Sequence, residues 1–321
     1  MTGTPATLPA ADVSAVTGVL STLPEFAGRS PSLQPLIGGL TNRNYVVSFG
    51  AEKQYVARCA GAKTSLLAID RDAEYRNSLT AAELGIGPSV VAYFPDEQIL
   101  LVEWINGRTF DDRDLDDPET LRRVAGACRQ LHSGGRFVND FDMFEIQRRY
   151  LDIVESHRFR LPTDYADFEP QVRRIENVLR ATAPPAVPCH NDLLAANIMD
   201  SDGRIWFIDY EYSGNNDPCF ELGNIWSEAS LDPDRLEHLV GSYYGASAPS
   251  QTARARLFAL MSKYGWTLWA SIQDAVSAVD FDFWQWGVDK YDRAVAEFRS
   301  PEFDTWIDTI QQSLRHEGAT P

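Results

Sequence analysis

The sequence predicts an α+β protein of two lobes, a small β-rich N-terminal lobe and a larger helical C-terminal one. Three observations carry that prediction. Between Leu33 and Ile105, short apolar runs alternate with turn signals, the pattern of strands. After Asn106-Gly107, apolar residues fall at helical spacing instead. Within that helical half, Asp202-Gly203 stands between two apolar runs, a strong short-range hairpin signal. The 321 residues, 44% of them hydrophobic, suffice for one large core or two moderate ones. The organisation expected is an extension over 1–30, a β-rich lobe over 31–106 and a helical lobe over 107–321.

The first element is a helix, because Val13, Val16, Val19 and Leu20 follow the Thr-, Pro- and Ala-rich start at helical spacing. Leu36-Ile37 then ends a strand and enters Gly38-Gly39-Leu40-Thr41-Asn42. Tyr45 to Phe49 leaves that turn, and Gly50 to Lys53 returns the chain as Tyr55-Val56-Ala57-Arg58. This pairing puts Arg58 opposite about Tyr45. A helix around Ile69 to Leu84 carries Glu74 and is stopped by Gly85-Ile86-Gly87-Pro88. Strands follow over Val90 to Tyr93 and Ile99 to Trp104, with Pro95-Asp96 turning between them.

Past Asn106, the run Asp111 to Asp117 reads as a solvated acidic loop. Asp117-Pro118 starts a helix as N-cap and first residue. Leu121, Val124, Ala125, Cys128 and Leu131 keep helical spacing until Gly134-Gly135. Pro184 to Pro188 is extended, since proline disfavours helix on both sides.

The most informative stretch is His190-Asn191-Asp192-Leu193-Leu194-Ala195-Ala196-Asn197, with Ile208-Asp209-Tyr210-Glu211 after it. If Asp202 and Gly203 make the turn between them, paired positions sum to about 405. Asn197 then faces Ile208, Asp209 lies one residue beyond, and Asp192 enters the same open end. Three oxygen-bearing side chains converge. Mg²⁺ prefers oxygen and takes one or two protein ligands beside water and phosphates, a role that fits Asn197 and Asp209. Asp192 has no metal duty and would receive or orient the proton of an attacking hydroxyl. His190 holds the loop by hydrogen bonding and is grouped with Asp192 as a catalytic candidate. The plain alternative for each residue alone is a turn cap or a strand end.

Glycines 38 and 39 allow backbone N–H groups to approach phosphates, and Gly38, Gly39, Thr41 and Asn42 are candidates for the nucleotide side. Arg58 near that turn could hold α- and β-phosphate oxygens, with Glu74 on the next helix orienting it. The alternative for Arg58 is a surface cation on an edge strand.

His-Asn-Asp-x-x-x-x-Asn followed by Ile-Asp-Tyr-Glu-Tyr resembles the choline and ethanolamine kinases, within the wider group that includes aminoglycoside phosphotransferases. Asn191 and the Glu211-Tyr212 pair resemble the choline kinase branch. The resemblance spans about Gly38 to Asp292 and implies a protein-kinase-like fold, ATP and Mg²⁺ as cofactors, Asp192 as base and Asn197 with Asp209 as metal ligands. It implies pairing of Arg58 with Glu74, and an adenine-contacting hinge at Glu103-Trp104-Ile105. Trp266-x-x-Trp269 resembles two tryptophans of a choline-binding wall. Trp286 takes a position usually held by Tyr, Tyr212 lies beside the metal loop, and Glu228 matches an acidic residue near the substrate. A quaternary ammonium donates no hydrogen bonds, so aromatic faces and nearby carboxylates would hold it. Composition alone makes such aromatics core.

Net charge is −17, which argues against nucleic acid as a partner and suits a cationic alcohol. Cys59, Cys128, Cys189 and Cys219 lack metal spacing and read as reduced thiols of a cytoplasmic chain. Met1 to Ala10 lacks a signal-peptide pattern, and no apolar run is long enough for a bilayer. The sequence leaves oligomeric state open. The expected activity is phosphorylation of choline or a related amino alcohol. Rivals are ethanolamine, thiamine or aminoglycoside kinases, and a non-catalytic pseudokinase sensing a cationic metabolite; the intact Asp192, Asn197 and Asp209 argue against the last.

Overall fold

A helix, α1 (Ala10–Thr22), precedes three strands, β1 (Ser32–Leu36), β2 (Asn42–Ser48) and β3 (Gln54–Ala60). Helix α2 (Arg71–Glu83) and strands β4 (Val90–Phe94) and β5 (Ile99–Glu103) follow. The five strands form one antiparallel sheet in the order β1-β2-β3-β5-β4. These elements are seen in a computed structural model, which describes residues 10–36, 39–50, 53–61 and 64–317. Gly38 lies outside the described residues, as does the start of the predicted N-terminal extension.

Alternation on β2 and β3 puts Tyr45, Val47, Ala57 and Cys59 on one face, and α1 covers that face with Val16, Val19 and Leu20. Asp12 anchors the helix: its carboxylate accepts from the guanidinium of Arg43 and from the Tyr45 hydroxyl. Burial alone would raise the Asp12 pKa, but these two donors outweigh it and hold the carboxyl below its usual range.

β2 and β3 pair with Asn44 opposite Arg58 and Tyr45 opposite Ala57. Arg58 therefore sits one residue from the predicted register. Ser48 and Gln54 close the ladder, so the connection holds five residues, 49–53, rather than four.

The helical lobe opens with the short β6 (Arg108–Thr109) and a one-turn helix, α3 (Asp112–Leu115). The expected acidic loop is thus partly helical. Asp111 caps it through the N–H groups of Arg113 and Asp114, Asp114 reaches back to the Asp111 N–H, and Leu115 is buried. α4 (Pro118–His132) begins as predicted, with Asp117 accepting from the Thr120 N–H at 2.9 Å. Next come α5 (Met143–His157), α6 (Glu169–Ala181), β7 (Val187–Cys189), β8 (Ile198–Ser201), β9 (Arg204–Phe207) and β10 (Gly214–Asn216). Helices α7 (Pro218–Glu228), α8 (Pro233–Tyr244), α9 (Pro249–Val276), α10 (Phe283–Phe298) and α11 (Glu302–Glu317) complete the chain.

α9 is the central pillar. It is buried almost continuously from Ala253 to Gln273, because α5, α7, α10 and α11 pack around it. The large core also takes Leu67, Ala81 and Ile86, so the segment after β3 already packs on the helical lobe. No helix among the described residues is long and apolar enough to cross a membrane.

Candidate active site

The predicted hairpin forms in the predicted register. Ile198 pairs with Phe207 and Ser201 with Arg204, and the Ile208 N–H donates to the Asn197 carbonyl at 3.0 Å. Asp202 and Gly203 have φ of 51° and 82°, the left-handed values a tight two-residue turn needs. Asn197 and Asp209 therefore leave adjacent strand ends side by side. Asp209 itself has φ 70°, an uncommon conformation for a residue other than glycine at the point where its carboxylate is aimed.

Two clefts meet at this point. One is lined by Val56, Arg58, Glu103, Ile105 and Met199, the other by Tyr212, Glu228, Trp266, Trp269 and Trp286. Asn197 and Asp209 line both, whereas Asp192 lines the aromatic cleft. The side-chain N–H of Asn197 donates to the Asp192 carbonyl at 2.8 Å, which turns its amide oxygen towards the junction. A neutral amide oxygen and a carboxylate oxygen are hard donors, so this pair fits Mg²⁺.

The loop carrying Asp192 is held from beneath. Asn191 is fully buried at φ 67°, and its amide donates to the carbonyls of Cys189, Tyr212 and Gly214. The Glu221 carboxylate accepts the N–H of His190 at 2.8 Å and of Asn191 at 2.7 Å. Burial would raise the Glu221 pKa, but His132 and these donors keep it below its usual range. Cys189 contacts His132, yet burial holds its thiol well above the normal range, so it is no nucleophile. All four cysteines are free and buried.

His190, grouped with Asp192 as a candidate, has both ring nitrogens engaged by the loop and its neighbour. It is fully buried, Nε2–H donates to the Ile208 carbonyl at 2.8 Å, and Nδ1 accepts the Asp192 N–H at 3.3 Å. Burial lowers its pKa, which keeps the neutral tautomer these two bonds require. Asp192 shifts the other way. Burial, then the charges of Glu228, Asp209 and Glu211, push its pKa well above the usual carboxylate range. A carboxylate that holds protons more tightly is the better proton acceptor.

On the side of the sheet, Arg58 forms an ion pair with Glu74 at 3.0 Å, as the sequence led us to expect. It also pairs with Asp209. Burial would discharge the guanidinium, but these carboxylates outweigh it and keep the charge. Glu103 and Ile105 line the cleft; the Glu103 N–H is spent on the Ser89 carbonyl at 2.8 Å.

Gly39 lines both clefts. A Cβ there would lie 2.7 Å from the Asn42 carbonyl oxygen, so only glycine fits. Thr41 and Asn42 line the aromatic cleft and not the one that holds Arg58. Gln273, near the end of α9, donates to the Leu40 carbonyl at 3.1 Å and ties the turn to that side. Asn42 is buried and engaged: it donates to Glu211 at 2.8 Å and accepts from Arg71 at 2.7 Å. Arg71 also reaches Glu74 at 2.6 Å, joining Arg58, Glu74, Glu211 and Asn42 in one network. Arg71 was missed by sequence reasoning, though its place three residues before Glu74 on one helix is a readable signal.

The aromatic wall gathers every predicted member. The Trp269 indole N–H donates to the Tyr212 hydroxyl at 2.9 Å. Tyr212 meets Trp266 edge-on at 5.0 Å between centroids, and Trp269 meets Trp286 at 5.4 Å. Trp284 turns away and stacks under Arg160 at 3.9 Å. Lys290 was not anticipated. It is buried, lies 4.3 Å from the Trp286 ring centroid, and donates to both oxygens of Glu228 at 2.8 and 2.7 Å.

A family model described as choline/ethanolamine kinase matches residues 33–239. Ethanolamine kinase 1 of Mus musculus is 27% identical over an alignment covering 86% of this chain and 87% of the relative. Protein LicA of Haemophilus influenzae is 28% identical, covering 74% of this chain and 72% of that protein. Among solved structures, a choline/ethanolamine kinase family protein from Mesorhizobium loti superposes with a TM-score of 0.80 at 28% identity. That match covers 94% of this chain and 99% of the other.

Proposed function

The chain belongs to the choline/ethanolamine kinase family, nucleotide-binding phosphotransferases acting on an alcohol group, and from that premise we propose that it phosphorylates choline or a closely related amino alcohol with ATP. The observation that carries this reading is the junction of the two clefts. Asn197 and Asp209 belong to both, while Asp192 faces only the one walled by indoles.

In this reading the alcohol lies in the aromatic cleft with its cationic end against Tyr212, Trp266, Trp269 and Trp286. Its hydroxyl points to Asp192, which accepts the proton as the oxygen bonds to the terminal phosphorus of ATP and ADP departs. Asn197 and Asp209 would hold Mg²⁺, which when bound neutralises charge on the phosphates. Arg58, oriented by Glu74, presents its remaining N–H groups to phosphate oxygens. Glu103 and Ile105 line the same cleft, and in this reading the base of the nucleotide lies against them. Glu221 and His190 fix the loop so that Asp192 is already in place before substrate arrives.

A second reading has a specific support: the Mus musculus relative is an ethanolamine kinase. ADP release measured with choline, ethanolamine, thiamine and an aminoglycoside, in the presence of Mg²⁺, tests both. Stimulation by choline above the others is expected. Absence of stimulation by either choline or ethanolamine would overturn the assignment.

A further inference from the structure

The carboxylate in the aromatic cleft is already taken by a cation of the protein itself. Lys290 stands one helical turn after Trp286 on α10, and its ammonium bonds both oxygens of Glu228, at the end of α7, at 2.8 and 2.7 Å. The pair is well enclosed: the side chains of Lys290 and Glu228 are 6% and 11% exposed. The same ammonium sits 4.3 Å from the Trp286 ring centroid, so it also fixes that wall.

We propose that Lys290 determines substrate specificity by occupying Glu228, so that the cleft selects a quaternary ammonium over a primary one. This inference rests on the amino-alcohol reading above and refines it. A primary ammonium brings three N–H donors, each of which needs an acceptor once water is excluded. Leaving a charged donor unpaired in a buried site costs more than leaving a neutral one.

Several of the acceptors lining the cleft are committed to partners within the protein. Glu228 is bound by Lys290. Both donors to Glu211, Asn42 at 2.8 Å and Arg71 at 3.1 Å, reach the one oxygen Oε2. The Tyr212 hydroxyl accepts from Trp269. Asp192 is reserved for the alcohol. A trimethylammonium group asks for none of these bonds, because its charge is spread over methyl groups that lie against indole faces. Lys290 therefore penalises the primary amine selectively. Its repulsion of any cation falls on both substrates and cancels in their ratio.

The test measures kcat/KM for ethanolamine and its mono-, di- and trimethyl derivatives, the last being choline. The wild type, Lys290→Met and Lys290→Arg are compared. Wild-type values should rise with each methyl. Lys290→Met keeps the apolar stem and frees Glu228, so the choline-to-ethanolamine ratio should fall on the order of tenfold or more, mainly through a lower ethanolamine KM. Lys290→Arg, which keeps the pair, should retain the preference.

A wild type that prefers ethanolamine overturns the proposal without any variant, even if Lys290→Met fails to fold. So does a ratio unmoved by Lys290→Met; in both cases the amino-alcohol kinase reading stands. If the wild type phosphorylates none of the four alcohols, that reading fails and takes this one with it.

Discussion

Arg58 on β3 and Asp209 after β9 form an ion pair across the cleft, joining the sheet to the hairpin loop. Arg58 is at the same time held by Glu74, and Glu74 by Arg71. The residue proposed to bind metal and the residue proposed to bind phosphate thus already hold each other in register. The guanidinium balances the charge of Asp209 and is oriented by Glu74.

Arg58→Gln should therefore damage catalysis more than folding. Losing one preorganised donor to the transferring group costs about 10²–10³ in rate. Stranding a buried carboxylate costs about 3–5 kcal/mol, but Glu74 keeps Arg71 at 2.6 Å, so a loss nearer 1–2 kcal/mol is expected. Steady-state kinetics and urea unfolding on one preparation separate the two. A stability loss without a fall in turnover would place Arg58 in scaffolding alone.

Chelation of divalent cations should abolish turnover, and Mg²⁺ should restore it. Asp209→Asn removes the only anion of the proposed ligand pair. Even changes one shell out from a metal cost about 10–100-fold in affinity, so the Mg²⁺ needed for half-maximal rate should rise by at least about tenfold. An unchanged Mg²⁺ requirement in the variant would assign the metal elsewhere.

Trp266→Ala should raise the choline KM by roughly 10- to 30-fold, the worth of one desolvated cation–π face. The ATP KM should stay within about twofold, because Trp266 lines only the aromatic cleft among the two. Equal rises for both substrates would point to collapse of α9 packing, and Trp266→Phe, which keeps an aromatic face, serves as the control.

Much of this arrangement was legible in the chain, and the reasons differ from residue to residue. The hairpin register was readable because a two-residue Asp-Gly turn admits one pairing, and Ile198 does face Phe207. The five-residue connection between β2 and β3 imposes no such constraint, and there the register differed by one. The wall of Tyr212, Trp266, Trp269 and Trp286 was readable only through family resemblance, since large aromatics at helical spacing equally describe a core. That Thr41 and Asn42 line the aromatic cleft was not readable, because the turn is bonded to Gln273, more than two hundred residues away in sequence. Lys290 gave no signal at all. A lysine on an amphipathic helix reads as surface, and only the fold brings Glu228 to bury it.

The attachment of α1 should depend on pH. Asp12 has a folded pKa below its usual 3.8, so the stability it contributes is present above that value and lost as pH falls through the folded pKa. Asp12→Asn should cost about 1–2 kcal/mol near neutrality, discounted for the half-exposed Arg43. The gap to the wild type should close as the medium is acidified below about pH 4. A gap independent of pH in urea unfolding would contradict the assigned charge.

In the proposed reaction Asp192 receives the proton of the acceptor hydroxyl. Asp192→Ala, assayed with ATP, Mg²⁺ and choline, should lower kcat by about 10²–10⁴-fold, while ATP titrated into the same preparation binds within about threefold of wild type. Wild-type turnover in that variant would contradict the claim outright.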